Sequence, residues 1–120
     1  MENKVYLFDT TLRDGQQTTG VNFSVSDKMT IADALNEIGI DYIEGGWPGA
    51  NPTDTEFFNK KHDFKNAKLT AFGMTKKTGH SAEKDPMLSS LMNSNSSSIC
   101  LFGKSWDFHV DVALDITNEQ

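Results

Sequence analysis

The sequence predicts an α/β protein in which a parallel sheet is covered by helices. Three observations lead there. Short apolar runs alternate with amphipathic stretches along all 120 residues. The runs begin roughly every 30 residues, the repeat of a βα unit. Helix-start and turn residues fall between them, where a strictly alternating chain needs them. Right-handed crossovers then leave two main solutions, an open doubly wound sheet or a barrel.

The elements follow in order. Lys4–Phe8 (KVYLF) is a short apolar run suited to a buried parallel strand. Ser24-Val-Ser-Asp27 has the S-x-x-D form that satisfies free N–H groups at a helix start. Ile31, Leu35 and Ile38 recur at helical spacing, and Gly39 closes the segment as a left-handed cap. Ile40–Glu44 is the second strand, followed by Gly45-Gly46 and Pro48-Gly49. Asn51-Pro52 reads as an N-cap with proline at the first helical position, opening a helix from Thr53 to about Phe64 with Phe57, Phe58 and Lys61 near one side. Lys68–Phe72 is strand three, Pro86–Met92 a short helix, and Ile99–Phe102 strand four. Ser105 is expected to cap a last helix whose Val110, Leu114 and Thr117 share a face. That helix shows no stop signal, and four parallel strands expose two edges, so the chain reads as a fragment.

Composition narrows the function. A formal net charge of -6 argues against nucleic acid as a partner, since a phosphate backbone needs a basic face. No apolar stretch approaches the roughly 20 residues that cross a bilayer, and no signal-peptide plan is present. A single cysteine, Cys100, excludes an internal disulfide and fits a reducing cytoplasmic compartment. The glycosylation-like triplets at Asn22 and Asn95 are then accidental.

The chemistry concentrates in Phe8–Gln17 (FDTTLRDGQQ), just past the first strand. Ligands bind at that end of the strands in open sheets and barrels alike. Asp14 is a hard oxygen ligand suited to a divalent metal. Arg13 offers a planar fork for a carboxylate or a developing oxyanion. Gly15 is expected to let the backbone turn tightly enough for both to face one point. Taken alone, Asp-Gly is also a common turn dipeptide and Arg13–Asp14 an ordinary surface pair.

Phe8–Gln17 resembles the first-strand signature of the α-isopropylmalate, homocitrate and citramalate synthases, a family of metal-dependent TIM-barrel acyltransferases. The pattern L-R-(acid)-G-x-Q is matched at Leu12, Arg13, Asp14, Gly15 and Gln17. Gly20–Lys28, Tyr42–Phe58, Lys68–Lys77 and Leu101–Val110 look most like the citramalate branch. Gly46-Trp47-Pro48 and Gly103-Lys104-Ser105-Trp106 stand where isopropylmalate synthases usually carry Gly-Phe-Pro and Thr-Ser segments.

The resemblance implies that residues 1–120 are a partial pyruvate carboxyltransferase-like (HMGL-like) domain, about four βα units forming the N-terminal half of a (β/α)8 barrel. It implies a Claisen condensation of acetyl-CoA with pyruvate, in isoleucine synthesis, by a complete enzyme expected to be a homodimer. It assigns Arg13 to catalysis, Asp14 to a divalent metal (Mg2+, Mn2+ or Zn2+), and Arg13 and Gln17 to substrate. Glu44, closing strand two at the same mouth, is a further substrate-site candidate that bonds Arg13 or a metal-bound water, or else orients the loop. The family's His-x-His metal pair and its catalytic base have no match here, so the chain alone is expected to be inactive, and poorly soluble or oligomeric.

Other signals carry less. Gly103-Lys104-Ser105 is not a phosphate loop, because the required earlier glycine is Ser98. His62, His80 and His109 show no metal-ligand spacing, and Phe57-Phe58 fits core packing. Lys104, Trp106, Asp107 and His109 are candidates to line the pocket, with Trp47 and Trp106 alternatively packing at its rim. Alternatives are a 2-isopropylmalate or homocitrate synthase, a lyase or carboxyltransferase of the same superfamily and, from a different class, a non-catalytic α/β binding domain.

Overall fold

Four parallel strands pair in the order in which the chain makes them: β1 (Phe8–Asp9), β2 (Tyr42–Gly46), β3 (Lys68–Met74) and β4 (Ser98–Phe102). Helices α1 (Val25–Glu37), α2 (Pro52–Asn59), α3 (Pro86–Met92) and α4 (Asp107–Leu114) follow the strands one by one. The computed structural model describes residues 3–119. The result is four βα units, the architecture expected from the alternation.

The outer face of the sheet meets α1, α2 and α3 through one core. Leu12, Ala32, Ile43, Phe57, Phe58, Leu69, Ala71 and Leu91 are all buried there. Gly45 and Gly73 leave room for the helices: a Cβ would lie 2.6 Å from Phe57 at the first and 2.4 Å from Leu91 at the second. The opposite face alternates with it along each strand. By register it carries Phe8, Tyr42, Glu44, Thr70, Phe72, Met74, Ser98, Cys100 and Phe102.

Helix boundaries follow local hydrogen bonding. Ser24 and Asp27 form the expected reciprocal capping box. Gly39 (φ 89°) closes α1, its N–H reaching the Asn36 carbonyl while that of Ile40 reaches Leu35, a Schellman closure. Asn51 caps α2, with Pro52 at its start as expected, and Asp85 caps α3 by accepting from the Met87 and Leu88 N–H groups.

Several boundaries differ from expectation. The first strand is two residues, not Lys4–Phe8, because the Asp41 carboxylate takes the Leu7 N–H at 2.8 Å before the ladder begins. Val5, Tyr6 and Leu7 stay exposed. Strand β2 starts two residues late and runs on to Gly46 (φ 143°), with an irregular register between Glu44 and Gly46. Helix α2 stops at Asn59 rather than near Phe64: the His62 ring donates to the Phe57 carbonyl at 2.8 Å, and Lys61 is exposed. Ile38 is 74% exposed, whereas Ile31 and Leu35 pack against the core as expected, beside the fully buried Lys28 and Ala32.

The last helix also differs. Ser105 does not cap it; Trp106 is the boundary residue, and the Asp107 carboxylate takes the Phe108 N–H. It does have an ending, with Asp115 left-handed (φ 54°), so Thr117 lies beyond it.

Candidate active site

The loop after β1 folds around two acceptor groups, a carboxylate and a carbonyl. The Asp9 carboxylate accepts from the Thr11 N–H and hydroxyl, and the Thr10 carbonyl collects the N–H groups of Arg13, Asp14 and Gly15 at 3.1, 2.8 and 3.1 Å. Leu12, fully buried, pins the loop to the core. Gly15 does not carry this turn. Its φ is not positive, and a Cβ there would meet Thr11 at an ordinary 3.6 Å.

Anchored in this way, Arg13 reaches across the mouth of the sheet to β2. Its Nε donates to Glu44 Oε2 at 2.7 Å, and its Nη1 to Asp14 Oδ1 at 3.2 Å. The guanidinium carbon lies 4.2 Å from the centre of the Phe72 ring on β3, a cation–π contact. Residues from three successive strands or their loops therefore fix one guanidinium. The three expected residues Arg13, Asp14 and Glu44 are brought together. Glu44 is 1% exposed, whereas the Asp14 side chain is 65% exposed. Gln17 sits in the short 3-10 turn Gly15–Gln17 and faces solvent.

Cys100 on β4 borders the same cluster. Burial first, then the Glu44 carboxylate, push its thiol above the ordinary 9.0, while Arg13 pulls against them.

The HMGL-like family model matches residues 4–120. The chain belongs to the HMGL-like family. The (R)-citramalate synthase of Aquifex aeolicus is 53% identical over 122 residues, covering 100% of this chain and 23% of the relative. That of Streptomyces coelicolor is 46% identical over 123 residues, with the same coverage. A 2-isopropylmalate synthase 1 of Caldanaerobacter subterraneus is 37% identical over 118 residues, 98% of this chain and 29% of the relative. The chain spans about a quarter of the length of the curated relatives it matches.

Within this HMGL-like chain, other expected residues stand apart from Arg13. A cavity of about 780 Å³ opens between the ends of β3 and β4 and helix α4; Trp47, Lys76, Lys77 and Lys104 line it, and Arg13, Asp14 and Glu44 do not. Trp106 is 58% exposed and packs tilted against Phe108 and edge-on against His109 of its own segment. Trp47, by contrast, is half-buried and stands edge-on to Phe72 at 5.5 Å. No helix among the described residues is long and apolar enough to cross a membrane.

Sequence reading missed the most heavily bonded polar group, the buried pair of Lys28 on α1 and Asp54 on α2. It had one legible signal: Lys28 lies one helical turn before Ala32, on the stripe that faces the core. Phe72 and Cys100 left no signal beyond their place in an apolar strand.

Proposed function

We propose that this chain supplies the first four βα units of a barrel that condenses acetyl-CoA with pyruvate to give (R)-citramalate, a cytoplasmic step toward isoleucine. The observation that carries the reading is Arg13, locked by Glu44 and Phe72 beside the exposed Asp14 carboxylate at the C-terminal end of β1 and β2. The identity with (R)-citramalate synthases along the whole chain supports it.

In this reading a base supplied elsewhere in the complete protein takes a methyl proton from acetyl-CoA. The enolate carbon attacks the keto carbon of pyruvate, and the keto oxygen becomes an alkoxide that is then protonated to the hydroxyl of citramalate. Arg13 Nε is committed to Glu44 and one Nη1 N–H to Asp14, and the fork's other N–H groups are the donors to that alkoxide. A donor held in place before charge develops costs no reorganisation during the step. Glu44, buried with Arg13 as its ion-pair partner, keeps the fork aimed. Gln17, at the open mouth, would orient substrate or a water. Water then cleaves the thioester and releases CoA.

Asp14 offers one hard oxygen donor for a divalent ion, but no group of three or more His, Cys, Asp or Glu able to hold a metal occurs among the described residues. The described residues thus offer Asp14 as one ligand of a set, and further ligands would come from elsewhere in the complete protein. A bound divalent ion would supply Lewis acidity at the ketone.

The complete protein carrying this chain should consume acetyl-CoA with pyruvate and form citramalate. Arg13→Gln should lower kcat by about 10²- to 10³-fold, the effect of losing an oxyanion donor. Undiminished condensation by that variant overturns the site. The 37% identity with a 2-isopropylmalate synthase supports a second reading, in which a bulkier 2-keto acid is the better substrate. A keto-acid panel separates the two.

A further inference from the structure

The Lys28–Asp54 pair is more completely enclosed than the site it borders: Lys28 is 0% and Asp54 1% exposed. Besides Lys28 Nζ, the Asp54 carboxylate accepts from Gln16 Nε2 at 3.3 Å, Asn51 Nδ2 at 3.0 Å and the Trp47 N–H at 2.8 Å. Lys28 also donates to Gln16 Oε1 at 3.3 Å. Two charges removed from water seldom stabilise a fold more than apolar residues of the same volume. What this carboxylate does provide is direction, since donors from the β1–α1 loop, α1 and the β2–α2 loop converge on it.

Two routes lead from it to the guanidinium. Gln16 belongs to the turn that carries Arg13 and Asp14. Trp47, held by its backbone N–H, stands edge-on against Phe72, whose face carries Arg13. The pair thus steadies the loop that bears the arginine and the ring on which the arginine rests.

We infer that Asp54, with Lys28 as its buried counter-ion, is a positioning residue for Arg13, acting through Gln16 and through Trp47 and Phe72. The inference rests on the condensing role proposed for Arg13. Neither residue touches substrate; they set where the fork points.

Two neutral double variants of the complete protein test this. Lys28→Met/Asp54→Leu removes the acceptor, whereas Lys28→Met/Asp54→Asn returns an oxygen to the Trp47 N–H. The leucine variant should lose about a hundredfold in kcat, the effect of a misplaced catalytic group. Its KM for the keto acid should stay within about threefold, as for an interaction made only in the transition state. The asparagine variant should recover most of kcat at a similar melting temperature. Equal kcat in the two variants, high or low, overturns the inference.

Gln16→Ala, at a half-buried position, should cut kcat about tenfold, a modest positioning loss. Wild-type kcat in that variant refutes the loop route. If the wild-type protein condenses no keto acid, the functional reading itself has failed. Positioning is then decided by a crystal structure of the leucine variant: loss of the 2.7 Å Arg13–Glu44 contact supports it, and retention refutes it.

Discussion

The region around β2, α1 and α2 and the region of β4 and α4 treat their side chains in opposite ways. In the first, charged groups go inside: Lys28, Glu44 and Asp54 are buried, and each has an ionic partner. In the second, apolar groups stay outside. Ile99, Leu101, Phe102, Trp106, Phe108 and Val112 are all exposed, and α4 buries no residue. Yet α4 has the higher apolar content by sequence, with Phe108, Val110, Val112, Ala113 and Leu114 in eight residues. Burial is therefore a property of what packs against an element, not of its composition. Helix α2 has the sheet and α1 on either side, whereas β4 has a strand on one edge only. In the proposed barrel, further strands and helices would cover the second region.

The contrast can be broken most directly by truncating one aromatic in each region. Phe57→Ala, in the core, should destabilise the chain by about 3–5 kcal/mol, whereas Phe108→Ala on α4 should change it by less than about 0.5 kcal/mol. Denaturant unfolding of both variants reads this, and equal losses would erase the distinction. A smaller effect is expected from added methyl groups. Gly45→Ala drives a Cβ to 2.6 Å from Phe57 and should cost about 1–3 kcal/mol, while Gly103→Ala meets only Thr75 at 3.5 Å and should be nearly silent.

Cys100 sharpens the comparison where the two regions meet. Its raised pKa leaves little thiolate, so iodoacetamide should modify it several-fold more slowly at pH 8 than a free thiol. Glu44→Gln should speed the reaction, because the carboxylate's contribution to the shift is gone. A rate matching that of free cysteine in the wild type contradicts the described environment.

The smallest expected effect is a slope. Burial pushes the Lys28 ammonium below its ordinary 10.5, and Asp54 only partly restores it. Between the lowered value and 10.5, the unfolded chain holds a proton that the folded chain has released. Stability due to this group therefore rises with pH across that window. Subtracting the pH profile of Lys28→Met from that of the wild type should isolate the rise, and a flat difference would show that the pair does not shift the lysine.

Much of this molecule is local and therefore legible in its residues. The βα alternation, the Ser24–Asp27 box, the Gly39 closure and the Asn51-Pro52 start depend on neighbours within a few positions, and all four are present. Arg13, Asp14 and Glu44 were legible because a short motif and a strand end point to one mouth. What only the tertiary structure decided is what each side chain meets across the chain. It set the two-residue length of β1, the exposure of Ile38, the choice of Gln16 over Gln17 as the tethered amide, and the meeting of Lys28 with Asp54. The physical reason is distance in sequence. Capping and turn energies are settled over three or four residues, whereas Lys28 and Asp54 lie 26 positions apart and meet only once two helices have docked on the same sheet.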